Sequence, residues 1–116
     1  AEHLAAAITS VLQTRGYGKG EIIMVSTAGM PMGLNLVREG WLQATVEQPL
    51  TAQAEGVAMF LDEVISGKQI KPGTYKVGGF DSQLEIKDYG PELVIPGSVI
   101  TKKNVDDKMF WGNQVQ

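Results

Sequence analysis

The chain has 116 residues, 43% of them apolar, with a net charge of -3, an isoelectric point near 5.0 and a mean hydropathy of -0.04. That is room for one modest globular domain and no more. The acidic balance argues against nucleic acid as a partner, because such binders concentrate basic residues on one face, and no apolar run approaches the ~20 residues of a membrane-spanning helix. Without cysteine there can be no disulfide or thiolate metal site. The single His3 has no second ligand at helical spacing, so no metal and no cofactor is expected.

The first fifteen residues read as a helix, with Leu4, Ile8, Val11 and Leu12 on one apolar face and Gly16 as its stop. No basic stretch followed by an apolar core marks a signal peptide here. Nor does a strand precede the helix, which suggests the inside of a longer α/β fold. Gly16, Gly18 and Gly20 follow a helix and precede a strand, the wrong order for a dinucleotide fingerprint, and are read as a turn. The central stretch runs from Glu21 to Pro49. It opens on the apolar run Ile22-Ile23-Met24-Val25, expected to be a strand of a parallel sheet covered on both faces. Ser26 to Pro31 form the loop after that strand, the place where α/β folds bind ligands. A helix over Met32 to Glu39 follows, with Pro31 suited to its first turn and Gly40 to its left-handed end, then a strand from Leu42 to Gln48.

A third helix, strongly amphipathic, is predicted from Thr51 to Ser66, with Val57, Phe60, Leu61, Val64 and Ile65 as its packing stripe and Gly67 as its stop. Beyond Lys71-Pro72-Gly73 the style changes. Thr74 to Val77, a turn over Gly78 to Ser82, and Leu84 to Ile86 make a hairpin. Glu92 to Ile95 and Ser98 to Thr101 are short strands, and the aromatics Phe110 and Trp111 are expected to dock on a neighbouring element. No nucleophile elbow surrounds Ser26 or Thr27, and no acid/base pair is visible, so no catalytic residue is assigned.

Several segments together resemble the C-terminal part of a type I periplasmic binding protein, the sugar receptor of an ABC transporter. They are Leu12-Gln13-Thr14-Arg15-Gly16, the strand Ile22 to Val25 with its Gly29-x-Pro31 loop, Val37-Arg38-Glu39-Gly40, Ala44-Thr45-Val46-x-Gln48-Pro49, and Val99 to Asp106. The hairpin between Lys71 and Gly90 and the Trp111-Gly112-Asn113 ending are more similar to the branch of rhamnose and autoinducer-2 receptors than to ribose-binding proteins. The resemblance implies a partial α/β fold that contributes to two lobes with a hinge. Residues 1–48 would belong to the C-terminal lobe, 49–95 to the N-terminal lobe with the hairpin, and 96–116 to the return crossing and tail.

The same resemblance implies a periplasmic or extracytoplasmic protein that binds a small sugar, deoxysugar, polyol or furanose and docks on a transporter permease. Its ligand would lie in an interlobe cleft, held from this half by Thr27, Ala28, Gly29, Met30 and Gln48. Ala28 stands where many sugar receptors place an Asp, so a ribose-like bidentate contact is not expected, and recognition would rely more on backbone groups and apolar contact. The Asn or Asp that opens the first helix in the family falls at Ala1. Met30 and Met32 could equally serve only to pack beneath the helix. The expected partner is the missing N-terminal portion as a separate chain, or a strand-exchanged second copy, because an uncovered apolar strand edge invites pairing. Two other readings stay open: the effector domain of a lactose-repressor-like regulator, and a small α/β enzyme of unrecognised type.

Overall fold

The computed structural model describes residues 1–115 and is a mixed α/β structure. Its elements in order are α1 (Glu2–Thr14), β1 (Val25–Ala28), α2 (Pro31–Glu39), β2 (Ala44–Glu47), α3 (Leu50–Ile65), β3 (Gly73–Val77), β4 (Phe80–Lys87), β5 (Gly90–Val94) and β6 (Val99–Thr101), followed by a 3-10 turn at Trp111–Asn113. The chain divides into two compact units, one made of residues 1–48 with 97–116 and the other of residues 49–96.

In the first unit β2 is the middle strand, with β1 parallel to it on one side and β6 antiparallel on the other. The strand expected at Ile22 to Val25 instead lies three residues later. Register explains the shift. The β1 ladder begins where Val25 faces Ala44, and ahead of it Met24 is tied to the side chain and backbone of Gln43 rather than to a strand. The apolar run is also not covered on both faces: Ile23 and Val25 are 73% and 72% exposed.

Helix α2 begins with Pro31 at its first turn and ends at Gly40 with φ +88, as the sequence suggests. It buries Leu34, Leu36 and Val37, which join Ala5, Trp41, Leu42, Ile100, Val105 and Phe110 in one core. Phe110 thus docks as expected of a large ring. Helix α1 departs from its predicted face. Its buried residues are Glu2, Ala5 and Thr9, with Leu12 against the core, while Leu4, Ile8 and Val11 are exposed. Hydrophobic spacing locates an apolar stripe but does not say which neighbour is there to receive it.

The second unit is an antiparallel sheet in the order β3-β4-β5, with α3 packed against β3. The hairpin turn is tighter than predicted. Gly78 and Gly79 alone make it, with φ +54 and +83, and Val77 faces Phe80. Left-handed backbone at both central residues is the form whose twist matches paired strands, so Phe80 to Ser82 become strand instead of turn. The stripe expected to bury α3 is also misplaced. Ala52 and Gly56 are its buried positions, whereas Val57, Leu61, Val64 and Ile65 remain exposed. The small residues admit the sheet closely: a Cβ on Gly56 would sit 3.0 Å from Leu93. Phe60 meets Tyr75 edge-on, with ring centroids 5.0 Å apart.

Candidate functional site

Four of the five residues assigned to a ligand, Thr27, Ala28, Gly29 and Met30, form one continuous stretch at the carboxyl end of β1, and the fifth, Gln48, directly follows β2. The structure brings them together, because the Gln48 N–H donates to the Ala28 carbonyl at 3.0 Å. Thr27 and Gln48 are exposed, Ala28 and Met30 half-buried and Gly29 buried. Met32, in the first turn of α2, is 39% exposed and so is not fully used in packing.

The loop is held in an uncommon backbone conformation. Ala28 has φ +123 and is the one non-glycine residue with positive φ among the described residues, and Gly29 follows at +72. A side chain in that region is strained by roughly 1 to 3 kcal/mol and persists only where surrounding contacts over-determine it. Three groups from distant parts of the chain provide those contacts.

Glu2 is the first. Its carboxylate is fully buried and accepts from Gly29 N at 3.0 Å, Met30 N at 2.7 Å and the Thr45 hydroxyl at 2.6 Å. The two backbone donors lie at the amino end of α2, where N–H groups have no partner within the helix and negative charge is favoured, and Thr45 reaches across from β2. Gly33 leaves the space for it, since a Cβ there would lie 2.1 Å from the Glu2 carboxyl carbon. The N–H groups of Gly29 and Met30 are therefore engaged within the chain. The Met30 carbonyl accepts from Leu34 N at 2.9 Å and the Gly29 carbonyl lies under Gly112, so what those two residues can offer a ligand is the Met30 side chain.

Glu47, the last residue of β2, is the second. It is 5% exposed, and its Oε1 accepts from Trp111 N at 3.0 Å. Burial pushes its carboxyl above the ordinary carboxylate range; the Trp111 N–H works against that, and nearby Asp107 adds to it. A Cβ on Gly29 would stand 3.2 Å from the Glu47 Cα, so the loop passes directly over this residue.

The C-terminal tail is the third. The Trp111 indole N–H donates to the Ala28 carbonyl at 3.2 Å, and a Cβ on Gly112 would fall 2.2 Å from the Gly29 carbonyl. The tail is anchored by Arg38, which donates to Asp106 at 2.7 Å and to Asn113 at 2.6 Å; Asn113 in turn donates to the carbonyls of Val105 and Asp107.

Sequence reasoning placed Trp111 only on an unspecified neighbour and missed Glu2 altogether. The signal for Glu2 was faint: an acidic residue in a first helical turn is common for its own helix. Nothing local says that it caps a different one, 27 residues away. No group of His, Asp or Glu able to hold a metal occurs among the described residues, and no described helix is long and apolar enough to cross a membrane. No protein-family model matches this sequence, and no curated protein shows significant similarity to it.

Proposed function

We propose that the chain is part of the solute-binding component of an ABC transporter. It binds a small sugar, deoxysugar, polyol or furanose at the loop after β1, and performs no chemistry on it. The observation that carries this is Ala28, a strained alanine at φ +123 at the carboxyl end of a parallel strand. That is where open α/β sheets bind ligands, and strain maintained there by several independent contacts is characteristic of binding sites. The resemblance of the sequence to type I periplasmic binding proteins supplies the ligand class. Both carboxylates that reach the loop are engaged by N–H donors of the chain itself, which favours binding over acid/base catalysis.

On this proposal the protein works outside the cytoplasm, delivers its ligand to a permease, and uses the exposed Gln48 amide as a donor and acceptor. Replacing Gln48 by Ala should weaken binding about ten-fold, the worth of one well-formed hydrogen bond, as read by calorimetric titration. The exposed apolar surface at Ile23 and Val25, beside the bare α1 residues Leu4 and Ile8, supports a polypeptide partner. That partner would be an N-terminal portion of the same receptor or a strand-exchanged second copy. Intact mass measurement with light scattering tests the partner, and calorimetry of the same sample against D-ribose, L-rhamnose and related polyols tests the ligand. Saturable binding by at least one of them supports the proposal. A stable monomer of this chain alone that binds none of them would overturn it.

A further inference from the structure

The tail residue Trp111 makes two hydrogen bonds that bracket the candidate binding loop, one from its backbone N–H to Glu47 and one from its indole N–H to the Ala28 carbonyl. We propose that Trp111 is the positioning residue of the site: its indole N–H holds the Ala28 carbonyl and thereby keeps Ala28 and Gly29 in the positive-φ geometry in which the loop is presented to a ligand. This rests on the binding function proposed above, which it extends from the loop to the tail.

The geometry distinguishes this role from ordinary packing. Ala28 pairs with Glu47 in the β1–β2 ladder, and its carbonyl already accepts from Gln48 N at 3.0 Å. The indole therefore adds a second donor to an oxygen that strand pairing alone would satisfy, and it does so at the one non-glycine residue, among the described residues, whose φ is unfavourable. Two donors fix the direction of a carbonyl more tightly than one, and the orientation of the Ala28–Gly29 peptide follows from it. On the other side of that peptide, the Gly29 N–H is fixed by Glu2 at 3.0 Å. The peptide is thus clamped at its oxygen by the tail and at its nitrogen by α1. Gly112 is bare where it crosses the Gly29 carbonyl, so the tail lies close enough for the indole to reach. The tail has its own anchor in the Arg38–Asn113–Val105 contacts, so the indole bond can be removed without undocking it.

The test is nuclear magnetic resonance of the isotope-labelled chain, together with any polypeptide that accompanies it in purification. The three-bond HN–Hα coupling of Ala28 reports its φ directly, and amide exchange at Gly29 and Met30 reports the clamp. Trp111→Phe removes the indole N–H. Replacing Trp111 by its benzothienyl analogue keeps the ring volume and removes the donor alone, which covers the case in which the Phe variant does not fold. Loss of the donor is expected to raise the Ala28 coupling toward that of an extended residue and speed exchange at Gly29 and Met30 about ten-fold. The Asn113 side-chain amide should stay in place. Affinity for whichever of D-ribose or L-rhamnose the native chain binds should fall about two- to ten-fold, the range of one hydrogen bond. An unchanged Ala28 coupling, or a change seen only when the Asn113 signals move too, would overturn the positioning role. Failure of the native chain to bind either sugar would count against the binding function, while the coupling would still decide what Trp111 does.

Discussion

The two units of this chain are stabilised in different ways. The first gathers nine apolar residues into one core and sets beside it a buried polar cluster in which Glu2, Thr45, Glu47 and Trp111 satisfy one another. The second has few fully buried side chains, chiefly Ala52, Val77, Ser82 and Leu84, and leaves the large apolar face of α3 bare. The lesson is about where precision is held. Apolar contact tolerates displacement, whereas buried polar groups are costly unless each partner stands within hydrogen-bonding distance. The loop with the strained alanine lies against the polar cluster, in the unit whose parts are held most exactingly.

The largest effect expected from this contrast is at Glu2. Glu2→Ala leaves two backbone N–H groups and a hydroxyl without their acceptor in a buried place, and should cost about 3 kcal/mol or more at roughly 1 to 3 kcal/mol for each unsatisfied group. Both tryptophans, Trp41 and Trp111, belong to the first unit, so denaturation followed by their fluorescence reads that unit directly. A loss under about 1 kcal/mol would mean the polar cluster is not what holds it.

Gly78→Ala is the counterpart in the second unit. Its φ of +54 is unfavourable for alanine, and the new Cβ would lie 2.4 Å from that of Ala52. About 1 to 3 kcal/mol is expected from strain and overpacking. Amide exchange should accelerate through β3 and β4 while the tryptophan transition stays in place. A common shift of both would erase the contrast between the units.

A smaller effect is expected from pH at Glu47. Burial raises its folded-state pKa above that of the unfolded chain, so the folded state binds the proton more tightly. Its contribution is therefore fully present below the unfolded value of about 4.5 and is lost as pH rises through the higher folded value. Denaturant midpoints measured upward across that window should decline more steeply in the native chain than in Glu47→Gln, which keeps an oxygen acceptor for Trp111. Equal slopes would contradict the assignment.

The smallest effect is at the bare face of α3. Val64 is 62% exposed, so Val64→Lys should change stability by less than about 0.5 kcal/mol. A loss of several times that would show that the face is covered in solution.

Much of the architecture was legible in the sequence because it is local. Pro31 and Gly40 frame α2, Gly67 follows α3, and the pair Gly78-Gly79 marks the hairpin, each through a backbone preference of its own. What stayed hidden depends on partners distant in the chain. The start of β1 is set by β2, which no feature of Ile22 to Val25 reveals. Apart from Glu2, the buried sides of α1 and α3 are lined by Ala5, Thr9, Ala52 and Gly56, because close approach of a neighbour favours small side chains over the larger apolar ones that periodicity picks out. Of the candidate site, the loop itself could be read from its place after a strand, and Gln48 from the resemblance. The carboxylate of Glu2 and the indole of Trp111 reach that loop from 27 and 83 residues away, and only the folded chain brings them there.

The most direct test of the central claim, that the loop after β1 binds a small sugar-like solute, is a titration of the isotope-labelled chain, with any accompanying polypeptide, against D-ribose and L-rhamnose. Amide shifts are the readout. The account predicts saturable shifts with at least one of the two, largest at Ala28, Gly29, Met30 and Gln48. No saturable shift with either sugar, or shifts confined to residues 49–96, would contradict it.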